Sequence, residues 1–309
     1  MIDVVIIGSG VTGLSAALYS ARYELSTLVI GDFLGGETST AWTVENYPGF
    51  ESIDGYDLVV KMKEQVEKLG VAIQTDRVQD IEKNGPTFKL TTETGQVIEA
   101  KTVIFAVGAA RKKLELPKEE QFALGKGVHY CTTCDGPLYK GKTIAVVGGG
   151  DAAIKGVNLA SQYAQQIYVI VRGDTLKAEP INFQRVQHFI DEGRVKILYK
   201  TKVKELLGEE RLSGVELDNG EKLTLDGLFI EIGAIPEVEL AVKLGVTLDD
   251  KGYITISNMM ETNVDGIYAA GDTTNFFGHF KQIITGCAMG SVAATSAFKK
   301  VTDHPGTHY

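Results

Sequence analysis

Val4-Val5-Ile6-Ile7-Gly8-Ser9-Gly10-Val11-Thr12-Gly13 decides the fold. The four apolar residues form an unbroken run, as expected of a strand buried on both faces. Leu14 to Ala21 continues as a small-residue helix, and Thr27–Ile30 gives the next strand. Gly8, Gly10 and Gly13 satisfy G-x-G-x-x-G between strand and helix. In that setting the first glycine permits the tight turn and the second lets the backbone approach a pyrophosphate. The third lets the helix pack on the strand, and the helix N-terminus favours the anion. The three glycines are therefore candidate dinucleotide ligands. The acid that commonly holds the ribose is missing, because the second strand ends Val29-Ile30-Gly31-Asp32. Asp32 reads equally as a substitute and as a solvated loop residue.

The same pattern returns downstream. Thr143–Val147 is a strand, Gly148-Gly149-Gly150-Asp151-Ala152-Ala153 a turn, Ile154 to Tyr163 a helix and Ile167–Val171 a second strand. Gly148, Gly150 and Ala153 give the G-x-G-x-x-A form of the motif. The duplication predicts an α/β chain of two doubly wound Rossmann-like dinucleotide-binding domains. Hairpin-like stretches run from Thr87 to Val103, turning at Glu93-Thr94-Gly95, and from Leu212 to Phe229, turning at Asn219-Gly220. Gly266 to Asp272 reads as a short strand ending in Gly-Asp, and a small-residue helix spans roughly Lys281 to Lys300. Crossings near 111–117 and 235–239 place the second domain inside the first. The expected bounds are 1–112 with 241–309, and 113–240.

A chain of 309 residues is long enough for two hydrophobic cores. With 44% hydrophobic and 23% charged residues it is neither disordered nor membrane-like. A net charge of −9 argues against a nucleic-acid partner. No apolar run reaches the length of a membrane span, and the N-terminus enters a strand without the features of a signal peptide. A cytoplasmic protein is expected.

Cys131-Thr132-Thr133-Cys134 admits three readings. A structural zinc site needs two further ligands, and neither Cys287 nor the histidines at 129, 188, 279, 304 and 308 show the spacing. Two inert thiols are the bland alternative. A redox dithiol at a helix start is the leading reading, since helix N-termini favour thiolates. Asp135 follows at once, either as a polar first-turn residue or as the proton donor and acceptor for the dithiol. Cys287 reads as a buried small hydrophobe, and Trp42 and Phe276-Phe277 as packing or surface residues. In the second fold Arg172 and Lys177 follow the strand where an acid would select NAD. Cations there suit the 2′-phosphate of NADP, and a solvated loop is the alternative.

Together these motifs resemble the low-molecular-weight, bacterial-type thioredoxin reductases over about residues 3 to 300. Gly8 to Gly13 resembles their FAD pyrophosphate loop. Gly35-Gly36-Glu37 and Val44-Glu45-Asn46-Tyr47-Pro48-Gly49 resemble the flavin-contacting "GGQ…VENxPG", with Glu37 for glutamine. Ala106-Val107-Gly108 resembles "ATG", and Cys131 to Gly136 resembles the active-site "CATCDG", the most specific match. Gly271-Asp272 resembles the aspartate on the ribityl chain, and Lys281-Gln282 the "RQA" that follows. The resemblance implies FAD held by Gly8, Gly10, Gly13, Gly36, Glu37, Asn46, Gly108, Gly271, Asp272, Lys281 and Gln282.

It further implies that Cys134 lies beside the flavin, that Cys131 attacks the partner disulfide and that Asp135 manages the proton. A thioredoxin-like partner, a homodimer and two alternating domain orientations come with it. The family's "HRRxxxR" phosphate site departs here to Val171-Arg172-Gly173 and Lys177. NADPH and NADH therefore both stand as donors through Gly148, Gly150, Ala153, Arg172 and Lys177. Weak NADPH use is expected, restored by Gly173→Arg with Val171→His. The rival readings are a reductase fed by ferredoxin, the flavoprotein of a peroxide-reducing system and a non-catalytic redox sensor.

Overall fold

A computed structural model describes residues 1–41, 44–123, 125–278 and 280–302, without the side chains of Thr133 and Cys134. Trp42, His279, His304 and His308 thus lie outside the described residues. The chain divides into two compact units, Met1–Ala110 with Pro236–Tyr309, and Arg111–Ile235.

In the first unit a parallel sheet runs Ala72–Gln74, Thr27–Ile30, Ile2–Ile7, Val97–Phe105 and Ile267–Ala269. Ile2–Ile7 is central because its side chains feed two cores by alternation. Val4 and Ile6 point into one, Val5 and Ile7 into the other. Val97–Phe105 is shared. Its first half pairs antiparallel with Thr87–Thr92, which pairs with Val78–Asn84. The helix Val11–Arg22 starts directly after Gly10, three residues before the expected Leu14. It packs on the helix Ile283–Thr302 at very short range. A side chain at Gly290 would lie 2.2 Å from Thr12 O, and one at Gly286 would lie 2.6 Å from Thr12 Oγ1. That contact is why the last helix is built of small residues.

The second unit repeats the plan, with Val195–Tyr199, Gln166–Val171, Thr143–Val147, Gly227–Ile230 and Val128–His129 parallel. Its helix Asp151–Ala160 again begins at the glycine turn, with Gly150 extended as its N-cap. A separate antiparallel sheet joins Val203–Leu207, Gly214–Leu217 and Lys222–Thr224. The expected hairpin thus ends at Thr224. Gly227–Ile230 is buried at every residue and joins the parallel sheet instead. Asp226 marks the break: its carboxylate accepts from Thr143 N–H at 2.9 Å. Among the described residues no helix is long and apolar enough to cross a membrane.

Candidate functional site

The first glycine loop has the geometry of a pyrophosphate cradle. Gly8 has φ +112°, and a side chain there would meet Ala106 O at 2.2 Å. A side chain at Gly13 would meet Gly8 O at 1.9 Å, so strand and helix are locked together. At Gly10 the nearest atom to such a side chain is Gly35 O, 3.8 Å away. Gly10 therefore offers open backbone where a phosphate would approach. Gly35 N–H donates to Ser9 O at 2.9 Å, which brings Gly36 and the exposed Glu37 beside the loop. The missing ribose acid also has a cause. A side chain at Gly31 would lie 2.4 Å from Ser9 Oγ, so the strand end accepts only glycine and leaves Asp32 exposed beyond it.

Asp272 enters this site from the 3-10 turn Gly271–Thr273. Gly271 has φ +79° and abuts Thr12 Oγ1, 2.6 Å from where a side chain would begin. Burial raises the Asp272 carboxyl above its ordinary value, with Lys281 pulling the other way. No hydrogen bond is made by this carboxylate among the described residues, so it stands ready for hydroxyl donors such as a ribityl chain. Lys281 donates instead to the carbonyls of Asp272 at 2.7 Å and Thr274 at 2.8 Å, with its ammonium 4.0 Å from the Tyr253 ring centre. It positions the aspartate through its backbone. Asn46 donates to Gln282 Oε1 at 2.8 Å, which joins two residues 236 positions apart. Gly108 has φ +73°, a conformation that glycine alone adopts freely. These residues fit FAD: the open glycine cradle would take its pyrophosphate, and the partly buried Asp272 carboxylate would take its hydroxyls.

In the second unit Gly148 has φ +143°, and a side chain there would strike Glu231 O at 2.3 Å. Gly150 is open, and Ala153 is fully buried. Arg172 and Lys177 are exposed, and Lys177 N–H donates to Gly149 O at 2.7 Å, which holds its segment against the loop. Gly173 has room for a side chain, with nothing nearer than Thr175 O at 3.8 Å. Val171 differs from the expectation. It is 4% exposed inside the core, so Val171→His would bury an imidazole rather than rebuild a phosphate clamp.

Cys131 is in a disulfide and immediately precedes the short helix Thr132–Asp135. That helix lies so close to Asp151–Ala160 that a side chain at Gly156 would fall 2.7 Å from Thr132 Oγ1. Thr132 donates through N–H and hydroxyl to Glu231 Oε1, at 3.1 and 3.0 Å. Asp135 Oδ2 meets His129 Nδ1 at 2.8 Å, and His129 Nε2 meets the Tyr139 hydroxyl at 2.6 Å. His129 is 8% exposed and stacks on Phe229. The three residues line one wall of a cleft of about 740 Å³ that also exposes Lys142, Arg211 and Asp226. Burial raises the Tyr139 hydroxyl, against the pull of Arg211. On the other flank Tyr130 donates to Glu119 Oε1 at 2.8 Å, and Glu119, 2% exposed, also accepts from the amides of Leu114 and Leu116.

Cys287 belongs to the first unit, on the helix Ile283–Thr302. It is 8% exposed, and burial pushes its thiol up to about 11. Sequence reasoning did not find Thr12, His129, Tyr139 or Glu231. The sequence signal for Glu231 is an acid inside the apolar run Phe229-Ile230-Glu231-Ile232, since buried charges demand partners.

The profile of the family described as pyridine nucleotide-disulphide oxidoreductase matches residues 2–292. The chain is 38% identical over 301 residues to the thioredoxin reductase of Bacillus subtilis, covering 95% of this chain and 93% of the relative. It superposes on the thioredoxin reductase of Lactococcus lactis in its FR conformation with a TM-score of 0.91. That pair is 36% identical over 98% of this chain and 100% of the other. The ferredoxin-flavin thioredoxin reductase of Clostridium acetobutylicum matches with a TM-score of 0.53 and 32% identity, over 98% and 99% of the two chains.

Proposed function

We propose that this chain, which belongs to the pyridine nucleotide-disulphide oxidoreductase family and within it to the thioredoxin reductases, passes electrons through FAD and the Cys131–Cys134 pair to the disulfide of a thioredoxin-like protein. The observation that carries the reading is the placement of Cys131. It is disulfide-bonded, at the start of a helix pinned by Gly156 and Glu231 inside the second dinucleotide fold. FAD, when bound, supplies the two-electron chemistry. The chain's own residues do the rest. Gly8, Gly10 and Gly13 receive the pyrophosphate, Asp272 receives ribityl hydroxyls, and Lys281 keeps Asp272 in place.

Reduction of the Cys131–Cys134 disulfide takes up two electrons and two protons and breaks one S–S bond. The Cys131 thiolate then attacks the partner disulfide, and one partner sulfur leaves as a thiolate. Cys134 resolves the mixed disulfide, so the enzyme disulfide re-forms and the partner departs as a dithiol. Asp135, tied to His129, moves protons to and from these sulfurs. The working molecule is a cytoplasmic homodimer.

For the donor, Gly148, Gly150 and Ala153 support a nicotinamide, with Arg172 and Lys177 as its phosphate contacts. A ferredoxin donor is the second reading. The uncharged Gly173 and the likeness to the ferredoxin-flavin enzyme favour it. Anaerobic titration of the flavin with NADPH, NADH and reduced ferredoxin tests both. A flavin reduced by none of the three contradicts the proposal.

A further inference from the structure

Glu231 follows directly on the buried strand Gly227–Ile230, and its side chain is 5% exposed. Its Oε1 accepts both donors of Thr132, and its Oε2 accepts from Arg111 at 3.2 Å. Every one of these partners is a donor, as an ionised carboxylate requires. Its backbone N–H donates to Val147 O at 2.8 Å, and its carbonyl abuts Gly148. Glu231 is therefore fixed between the second glycine loop and the dithiol helix. The amide it engages, Thr132 N–H, belongs to the peptide unit that Cys131 begins.

This placement acts on charge as well as on position. An anion near Cys131 opposes formation of a thiolate there. Stabilising the thiolate stabilises the reduced form and makes a dithiol a weaker reductant; opposing the thiolate does the reverse. We propose that Glu231 is a positioning residue for the redox pair, one that fixes the start of its helix and keeps the Cys131–Cys134 dithiol strongly reducing. The inference rests on the disulfide-reductase reading above. The couple it tunes is balanced: one disulfide, two electrons and two protons give two thiols. Arg111 opposes the effect by offsetting the carboxylate's charge.

The test uses the FAD-loaded protein, equilibrated anaerobically in graded mixtures of oxidised and reduced dithiothreitol. Thiols are then trapped by alkylation and counted by mass. Glu231→Gln keeps an acceptor oxygen for Thr132 and removes the charge. It is expected to shift the equilibrium about tenfold towards the dithiol, a midpoint less negative by about 30 mV. Arg111→Gln is expected to shift it the other way. A Glu231→Gln equilibrium within twofold of the unmodified protein, or shifts of the same sign in both variants, would overturn the proposal. A pair that never cycles in the unmodified protein would overturn the disulfide-reductase reading and this proposal with it.

Discussion

His129 Nδ1 and Asp135 Oδ2 stand 2.8 Å apart, and the far nitrogen of the same imidazole meets the Tyr139 hydroxyl at 2.6 Å. A carboxylate only accepts, so Nδ1–H donates to Asp135, and Nε2 shares a hydrogen bond with the Tyr139 hydroxyl, a group able to donate or accept. Asp135 is thereby held in one orientation. General acid–base groups contribute about 10²- to 10⁴-fold to rate. Asp135→Asn should slow thiol–disulfide exchange by about 100-fold. His129→Leu, which leaves Asp135 in place but unaligned, should slow it about tenfold, roughly 1.4 kcal/mol in the barrier. Stopped-flow exchange with a small disulfide, on FAD-loaded protein, measures both. Full activity in His129→Leu would show that the pair has no part in the reaction.

Gly156→Ala probes the dithiol helix and leaves every proposed flavin ligand unchanged. The added methyl would fall 2.7 Å from Thr132 Oγ1. Alanine is the better helix former by about 1 kcal/mol, so lost activity cannot come from a weaker helix. The variant should bind FAD normally and lose at least about tenfold in turnover, the loss expected for a barrier raised by 1.4 kcal/mol or more. Unchanged turnover would mean that the Thr132 contact has no bearing on exchange.

Cys287 tests the pH behaviour of a buried thiol. Its ordinary value of 9.0 rises to about 11 through burial, partly offset by a hydrogen bond from Tyr47. The unfolded chain ionises first, so this group's contribution to stability is intact below pH 9 and declines as pH rises towards 11. Iodoacetamide should label the reduced protein at Cys131 and Cys134 but spare Cys287 at pH 8. Cys287→Ser should keep turnover within tenfold. Rapid native labelling of Cys287 would contradict its burial.

The donor prediction concerns one position. Each charge-assisted contact is worth about 1.5–3 kcal/mol, and Gly173 offers none. Gly173→Arg, with open space around it, should lower the KM for NADPH about tenfold and leave that for NADH unchanged. Equal effects on both cofactors would separate this loop from the 2′-phosphate.

Both dinucleotide folds were legible because the runs Val4–Ile7 and Ile144–Val147 of their first strands are apolar at every position, as burial on two faces requires. Ile2–Ile7 and Thr143–Val147 each divide their side chains between two cores. The helix starts were not legible, since Val11, Thr12, Asp151 and Ala152 look like turn but lie in the first helical turns. The hairpin near Asn219 was legible from its turn. Its end was not, because Gly227–Ile230 is as apolar as a hairpin strand and only its partner, Thr143–Val147, reveals its sheet. The clearance at Gly31, the pairing of His129 with Asp135 and the clamp of Glu231 on Thr132 join residues distant in sequence or masked by ordinary local roles. Spacing alone carries no trace of such contacts.

The central claim is that electrons reach a partner only through the Cys131–Cys134 pair. The most direct measurement reduces the FAD-loaded enzyme anaerobically, mixes it with oxidised thioredoxin and follows flavin absorbance and new thioredoxin thiols together. Unmodified enzyme should re-oxidise while producing one thioredoxin dithiol per two electrons. Cys131→Ser and Cys134→Ser should keep FAD and produce none, with Cys134→Ser instead trapping thioredoxin as a mixed disulfide through Cys131. Thioredoxin reduction at an undiminished rate in either variant would contradict the account.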